Sequence, residues 1–136
     1  MMPTVLLVED DIDYRILLVH SLQAVGYSCI TASNGLEALQ KAREGSPDLV
    51  LLDLGLPGMD GREVCRLLRQ RSSVPIIILT GWPDEAVENE LLALGADDFM
   101  RKTVTLDVLL AHTEAALRTS GARQEAGKAS SPRFPS

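Results

Sequence analysis

No stretch of this chain reaches the roughly 20 consecutive apolar residues that a membrane-spanning helix needs. The opening Met1-Met2-Pro3-Thr4 has neither the basic segment nor the cleavage site of a secretory signal. The expected location is therefore cytoplasmic. Cysteine is scarce: Cys29 and Cys65 stand alone, without CxxC spacing, and read as small core residues rather than a disulfide or metal pair. Basic charge is also in deficit. Lys and Arg number 13 against 19 Asp and Glu, a net charge of −6, which argues against direct nucleic-acid binding by this domain. No internal repeat is visible. What remains is 136 residues, 46% of them hydrophobic, enough for one domain with an ordinary core.

Apolar runs of strand length alternate with helical patterns. Strands are expected at 4–8, 28–31, 49–53, 75–79 and 97–100. Between them Leu18, Leu22 and Val25 recur at helical spacing, as do Val64, Leu67 and Leu68, then Val87, Leu91 and Leu94. A last helix carries Leu106, Leu109, Leu110, Thr113 and Leu117 on one stripe. Asn34 with Glu37 suggests a capping box, Pro83 suits a first helical turn, and Gly26 and Gly95 suit helix ends. Five βα units call for an α/β fold: a single doubly wound parallel sheet with helices on both faces. The domain is expected over 1–120. From Gly121 the composition turns to Gly, Ala, Ser and Pro, and 121–136 reads as a flexible tail or truncated linker.

Charge collects at the strand ends. Glu9 and Asp10 follow Val5–Val8, Asp53 closes Leu49–Leu52, Thr80 closes Ile76–Leu79, and Lys102 follows Phe99-Met100-Arg101. In open parallel sheets, ligands bind beyond the carboxyl ends of the strands. Crowded acids repel unless a cation neutralises them, and the hard cation for an oxygen cluster that handles phosphate is Mg²⁺. An aspartate can attack phosphorus, and phosphoryl transfer depends mostly on positioning and charge neutralisation. Asp53 as nucleophile, Mg²⁺ on Glu9 and Asp10, Lys102 as fixed cation and Thr80 as donor supply those parts.

With those residues in order, the chain resembles the receiver domains of bacterial two-component response regulators. The matching stretches are Val5-Leu6-Leu7-Val8-Glu9-Asp10-Asp11, Asp53 through Gly61, Pro75 through Gly81 and Gly95-Ala96-Asp97-Asp98-Phe99. The resemblance implies a flavodoxin-like sheet of order 2-1-3-4-5. It implies that Asp53 accepts a phosphoryl group from a sensor histidine kinase or phosphotransfer protein. Asp10, Asp53 and the Gly55 carbonyl would bind Mg²⁺, with Glu9 acting through water. Lys102 would pair with the phosphate, and Thr80 and Phe99 would form a switch pair. The surface of the fourth helix, fifth strand and fifth helix would carry output, including a weak homodimer on phosphorylation.

The sequence departs from this pattern in places. Thr103 follows Lys102 where the family usually has proline; a trans bond is expected, since cis at a non-proline costs roughly 2.5–4 kcal/mol. The resemblance implies that the positions held here by Gly55 and Trp82 flank the side from which water would attack the phosphate. Two rivals remain: a pseudo-receiver serving only as a protein-interaction module, and an aspartate-nucleophile phosphatase. The phosphatase would need a second acid two residues after the nucleophile, where this chain has Gly55.

Overall fold

The computed structural model describes residues 2–81 and 85–130, with side chains described through residue 119. Trp82 and Pro83 lie outside the described residues. The elements are β1 (Thr4–Val8), α1 (Ile12–Ala24), β2 (Ser28–Ala32), α2 (Gly35–Gly45), β3 (Leu49–Asp53), α3 (Gly61–Arg71), β4 (Ile76–Thr80), α4 (Glu85–Ala93), β5 (Asp98–Arg101) and α5 (Leu106–Ser130). The five strands are parallel in the order β2-β1-β3-β4-β5. No helix among the described residues is long and apolar enough to cross a membrane.

Every residue of β3 and β4 is buried, because helices cover both faces of the central strands. One face packs Leu6, Val8, Val50, Leu52, Ile76 and Ile78 against α2, α3 and α4; the other packs Val5, Leu7, Leu49, Leu51, Ile77 and Leu79 against α1 and α5. Cys65 is buried and Cys29 half-buried, both as free thiols in apolar surroundings.

Two strands begin one residue later than the sequence pattern suggests. Pro75 has no N–H to give to a ladder, so it contributes only its carbonyl, which accepts from Val50 N at 2.9 Å. Asp97 clasps the entry to β4: its carboxylate accepts from Ile76 N at 2.9 Å and its own N–H donates to Ile76 O at 2.9 Å. Val25 is not part of the buried stripe of α1; it follows the last helical residue and is 52% exposed. The helix cap at Asn34 forms, its Oδ1 accepting from Glu37 N at 2.9 Å, but the return contact reaches one residue further back: Glu37 Oε1 accepts from Ser33 N at 2.6 Å. The α5 backbone continues to Ser130. Ala122, Arg123, Gln124, Glu125, Lys128 and Ala129 all favour helix and outweigh Gly121 and Gly127.

Candidate functional site

Strand register builds the site. Val8 pairs with Leu52, so the next residues along, Glu9 and Asp53, emerge side by side. Asp53 pairs with Leu79, which sets Thr80 one step further at the end of β4, and Thr80 pairs with Arg101, so Lys102 leaves β5 at the same rim. The Lys102 N–H continues the ladder to Thr80 O at 2.8 Å. From there its side chain crosses two strand spacings, about 10 Å, back to the acids. Its Nζ lies 2.9 Å from Glu9 Oε1 and 3.2 Å from Asp53 Oδ2.

The carboxylates are close. One oxygen from each of Glu9, Asp10 and Asp53 can be chosen so that all three lie within 4.8 Å of one another. Glu9 is fully buried, Asp53 is 3% exposed, and Asp10 is exposed and forms the solvent side of the cluster. Backbone amides hold the two buried acids: Asp11 N donates to Glu9 Oε2 at 3.0 Å, and Gly55 N donates to Asp53 Oδ1 at 3.1 Å. Glu9 Oε1 is buried and has the Lys102 ammonium 2.9 Å away as its ion-pair partner, which leaves acceptor capacity to spare. Burial raises the Glu9 carboxyl above its ordinary pKa; the Lys102 contact and the Asp11 N–H pull it down and the Asp53 charge adds to the rise. Burial would lower the Lys102 ammonium, but contact with Glu9 and Asp53 outweighs it and the net shift is upward. The single lysine thus stays charged, and its one positive charge does not fully offset the cost of desolvating Glu9.

Three carboxylates within reach of one another, balanced by one ammonium and including a buried oxygen with acceptor capacity to spare, suit a hard divalent cation. Gly55 leaves the approach to Asp53 bare: a Cβ there would sit 3.8 Å from both carboxylate oxygens. The β3–α3 turn bends away through Gly58, whose φ of 83° lies in the left-handed region that favours glycine. Thr80 is 5% exposed at the rim. Phe99 pairs with Ile78 and packs, half-buried, against the core on the α2–α4 face. Asp11 caps α1 by accepting from Tyr14 N at 3.1 Å. No cis peptide occurs among the described residues, so Lys102–Thr103 is trans; the turn after Lys102 closes instead by Val104 N donating to Arg101 O at 3.1 Å.

Two residues of the site carry no sequence motif. The Lys102 ammonium lies 5.2 Å from the centre of the Tyr14 ring, within cation–π range. Arg15 Nη1 donates to the Glu9 carbonyl at 3.0 Å and holds the β1–α1 loop. Both fall in the first turn of α1, where a half-buried aromatic and a cation also have ordinary packing uses; only the folded position shows what they touch.

A family model described as the response regulator receiver domain matches residues 5–114. The chain is 43% identical over 129 residues to the transcriptional regulatory protein AfsQ1 of Streptomyces coelicolor, covering 95% of this chain and 57% of that one. It is 44% identical over 117 residues to the alkaline phosphatase synthesis transcriptional regulatory protein PhoP of Bacillus subtilis, covering 85% and 49%. It thus spans about half the length of these relatives. Among solved structures, the BeF3-activated N-terminal receiver domain of Klebsiella pneumoniae RstA is similar at TM-score 0.82 and 35% identity, covering 85% of this chain and 98% of that one. The signal receiver domain of a Luxo repressor protein from Vibrio parahaemolyticus is similar at TM-score 0.86 and 28% identity, covering 93% and 98%.

Proposed function

Because the chain belongs to the response regulator receiver domain family, we propose that Asp53 is its phosphoryl acceptor, taking the group from a histidine kinase or phosphotransfer protein. The observation that supports this best is the bridging of Glu9 and Asp53 by Lys102 at 2.9 and 3.2 Å, beside a buried carboxylate oxygen with spare acceptor capacity. An Asp53 oxygen attacks phosphorus and an acyl phosphate forms. The bond from phosphorus to the donor's imidazole nitrogen breaks, and the imidazole leaves with that electron pair. Lys102 meets the charge that spreads over the phosphoryl oxygens, and the Thr80 hydroxyl supplies a further donor. Asp10, Asp53 and the Gly55 carbonyl would hold Mg²⁺, with Glu9 acting through water. When bound, the metal supplies charge neutralisation between the acids and the incoming phosphate. The domain thereby assists its own phosphorylation and, through water, its own dephosphorylation, while its role stays that of a signalling switch.

Two exposed isoleucines on α1, Ile12 at 62% and Ile16 at 51%, stand one turn apart next to the acidic rim and form an apolar footing for the phosphodonor protein. Thr80 and Phe99 transmit the change to α4, β5 and α5 by a population shift. The two relatives' names make transcription the process in which we infer this net-negative domain to act, as a switch and not as the part that contacts DNA. The phosphatase reading lacks its general acid, since Gly55 offers only a backbone N–H to Asp53. The pseudo-receiver reading does not account for five polar residues from four strand ends converging on one rim.

Intact mass after incubation with acetyl phosphate and Mg²⁺, for the wild type and Asp53→Asn side by side, tests the proposal. One phosphoryl group on the wild type alone is expected; an equal label on Asp53→Asn removes Asp53 from the role.

A further inference from the structure

A second concave region among the described residues is far from the acids. A groove of about 740 Å³ runs between α2 and α3 and the loops that lead into β3 and β4, so it opens at the amino-terminal end of the sheet, opposite the acidic rim. Its volume falls in the range of small-ligand sites, about 300–1,000 Å³. Leu39, Leu67 and Leu68 line it, and Leu36, 70% exposed, joins the same lining without cover from the fold. Leu39 and Leu67 are half-buried and Leu68 is buried, so the apolar floor is continuous and Leu36 is its exposed edge.

Arg43 and Arg71 also line the groove. Neither guanidinium has an ion-pair or hydrogen-bond partner among the described residues. On the same helix, Arg62, Arg66 and Arg69 all bind carboxylates. Arg43 and Arg71 each sit in the last turn of a helix, where the helix dipole favours a cation without consuming its N–H donors. The lining also holds one acid, Asp48, whose Oδ2 accepts from Thr4 N at 2.8 Å, so two arginines with free donors against one engaged carboxylate leave the groove locally positive in a chain of net charge −6. A guanidinium presents a planar fork that matches carboxylate, sulfonate or phosphate oxygens.

We infer that this groove binds a small apolar anion: a hydrophobic ring system or chain laid along Leu36, Leu39, Leu67 and Leu68, with one acidic group held between Arg43 and Arg71. The site is separate from the acidic rim, so it would be occupied independently of the state of Asp53.

The probes are anilinonaphthalene sulfonate and its uncharged parent, phenylnaphthylamine, titrated into the isotopically labelled full chain and followed by amide shifts. The expected result is saturable shifts confined to residues 36–48 and 67–74, with the sulfonate bound about tenfold more tightly than the parent. Arg43→Ala with Arg71→Ala should remove that preference; both side chains are exposed, so the fold stays intact as an internal control. Equal affinity for the two probes, shifts that do not saturate, or shifts centred on Asp10 and Asp53 would overturn the inference. So would a peptide of leucine and glutamate that binds the same residues about tenfold more tightly than the sulfonate, which would make the groove a protein-docking surface.

Discussion

The acidic rim and the outer margin at β5 carry the same kind of residue and treat it in opposite ways. At the rim, Glu9 and Asp53 share one ammonium, Asp10 lies beside them, and the buried Glu9 Oε1 has that ammonium as its counter-charge. At the margin, each acid is matched. Asp97 receives Arg69 Nη2 at 3.0 Å and Ile76 N at 2.9 Å; Asp98 meets His112 Nδ1 at 2.5 Å and receives Phe99 N at 2.8 Å. A fold that satisfies its acids in one place and leaves them short of positive charge in another is holding the second group for something that arrives. Compensation, more than the mere presence of carboxylates, separates the site from the scaffold.

That contrast is broken most directly at Asp53. Replacing it with Asn keeps its size and an acceptor oxygen for Gly55 N, and removes the nucleophile. Phosphoryl transfer from a small phosphodonor should drop to background by intact mass, while the melting temperature holds or rises, because a like charge beside Glu9 is gone. Lys102→Ala should slow labelling about 100-fold or more through lost charge stabilisation. A variant that labels at the wild-type rate would place the fixed cation elsewhere.

The margin should fail in the other currency. Arg69 reaches Gly95 O at 2.7 and 3.1 Å, Ser72 O at 3.0 Å, Val74 O at 2.8 Å and Asp97 at 3.0 Å, with only 24% of its side chain exposed. Its stem also packs where a Cβ on Gly95 would go, at 2.8 Å, and Gly95 itself has φ of 112°. Arg69→Ala should cost about 3 kcal/mol in urea unfolding and leave the rate of phosphorylation per folded molecule unchanged. A loss below about 0.5 kcal/mol would mean that the Arg69 contacts are no better than surface pairs.

The order of strands and the residues of the rim were legible because they depend on local rules: apolar runs buried on both faces, turn residues after each strand, and acids just past strand ends. Asp97 shows where such reading stops. In the sequence it is an acid at the start of the fifth strand, yet its carboxylate spans to Arg69 on α3 and to the first amide of β4, contacts between residues distant in sequence. Tyr14 and Arg15 escaped notice for the same reason. Lys102 is a contrary case: its task depends on a side chain crossing β4, and only its place after the fifth strand hinted at it. The groove between α2 and α3 was invisible, since Leu36 and Leu67 fit the helical pattern of core residues whether or not anything covers them.

Glu9 offers a test by pH and metal. Its carboxyl titrates above the ordinary value of 4.5, chiefly because it is buried. The folded chain therefore holds a proton there more firmly than the unfolded chain. That stabilisation is complete below the ordinary value and disappears as pH rises through the raised one, leaving a buried charge at pH 7. Metal-free Glu9→Gln should melt above the wild type at pH 7, with the gap closing toward pH 4. Mg²⁺ at about ten times its Kd should stabilise the wild type by about 1.4 kcal/mol, and Glu9→Gln should lose most of that gain. Calorimetry with and without Mg²⁺ across this range checks both; a variant that melts lower than wild type at pH 7 without metal would show Glu9 to be fully compensated, like Asp97.

The smallest effect is expected at His112. Its pairing with Asp98 leaves the two side chains 39% and 35% exposed, so His112→Ala should cost no more than about 0.5 kcal/mol. The same variant also tests assembly. The weak homodimer proposed for the phosphorylated state would use the α4–β5–α5 surface, and an isologous contact there needs acids and cations free to pair across a twofold axis. In this chain Asp98 and His112 already satisfy each other, and Asp97 is held by Arg69. Self-association of the beryllofluoride-activated chain should therefore be weak and unchanged by His112→Ala in sedimentation velocity. A loss of about tenfold would mean that Asp98 exchanges its partner within the chain for one across the axis. The β5 margin would then belong with the acidic rim, as a place where charge is kept ready for an incoming group.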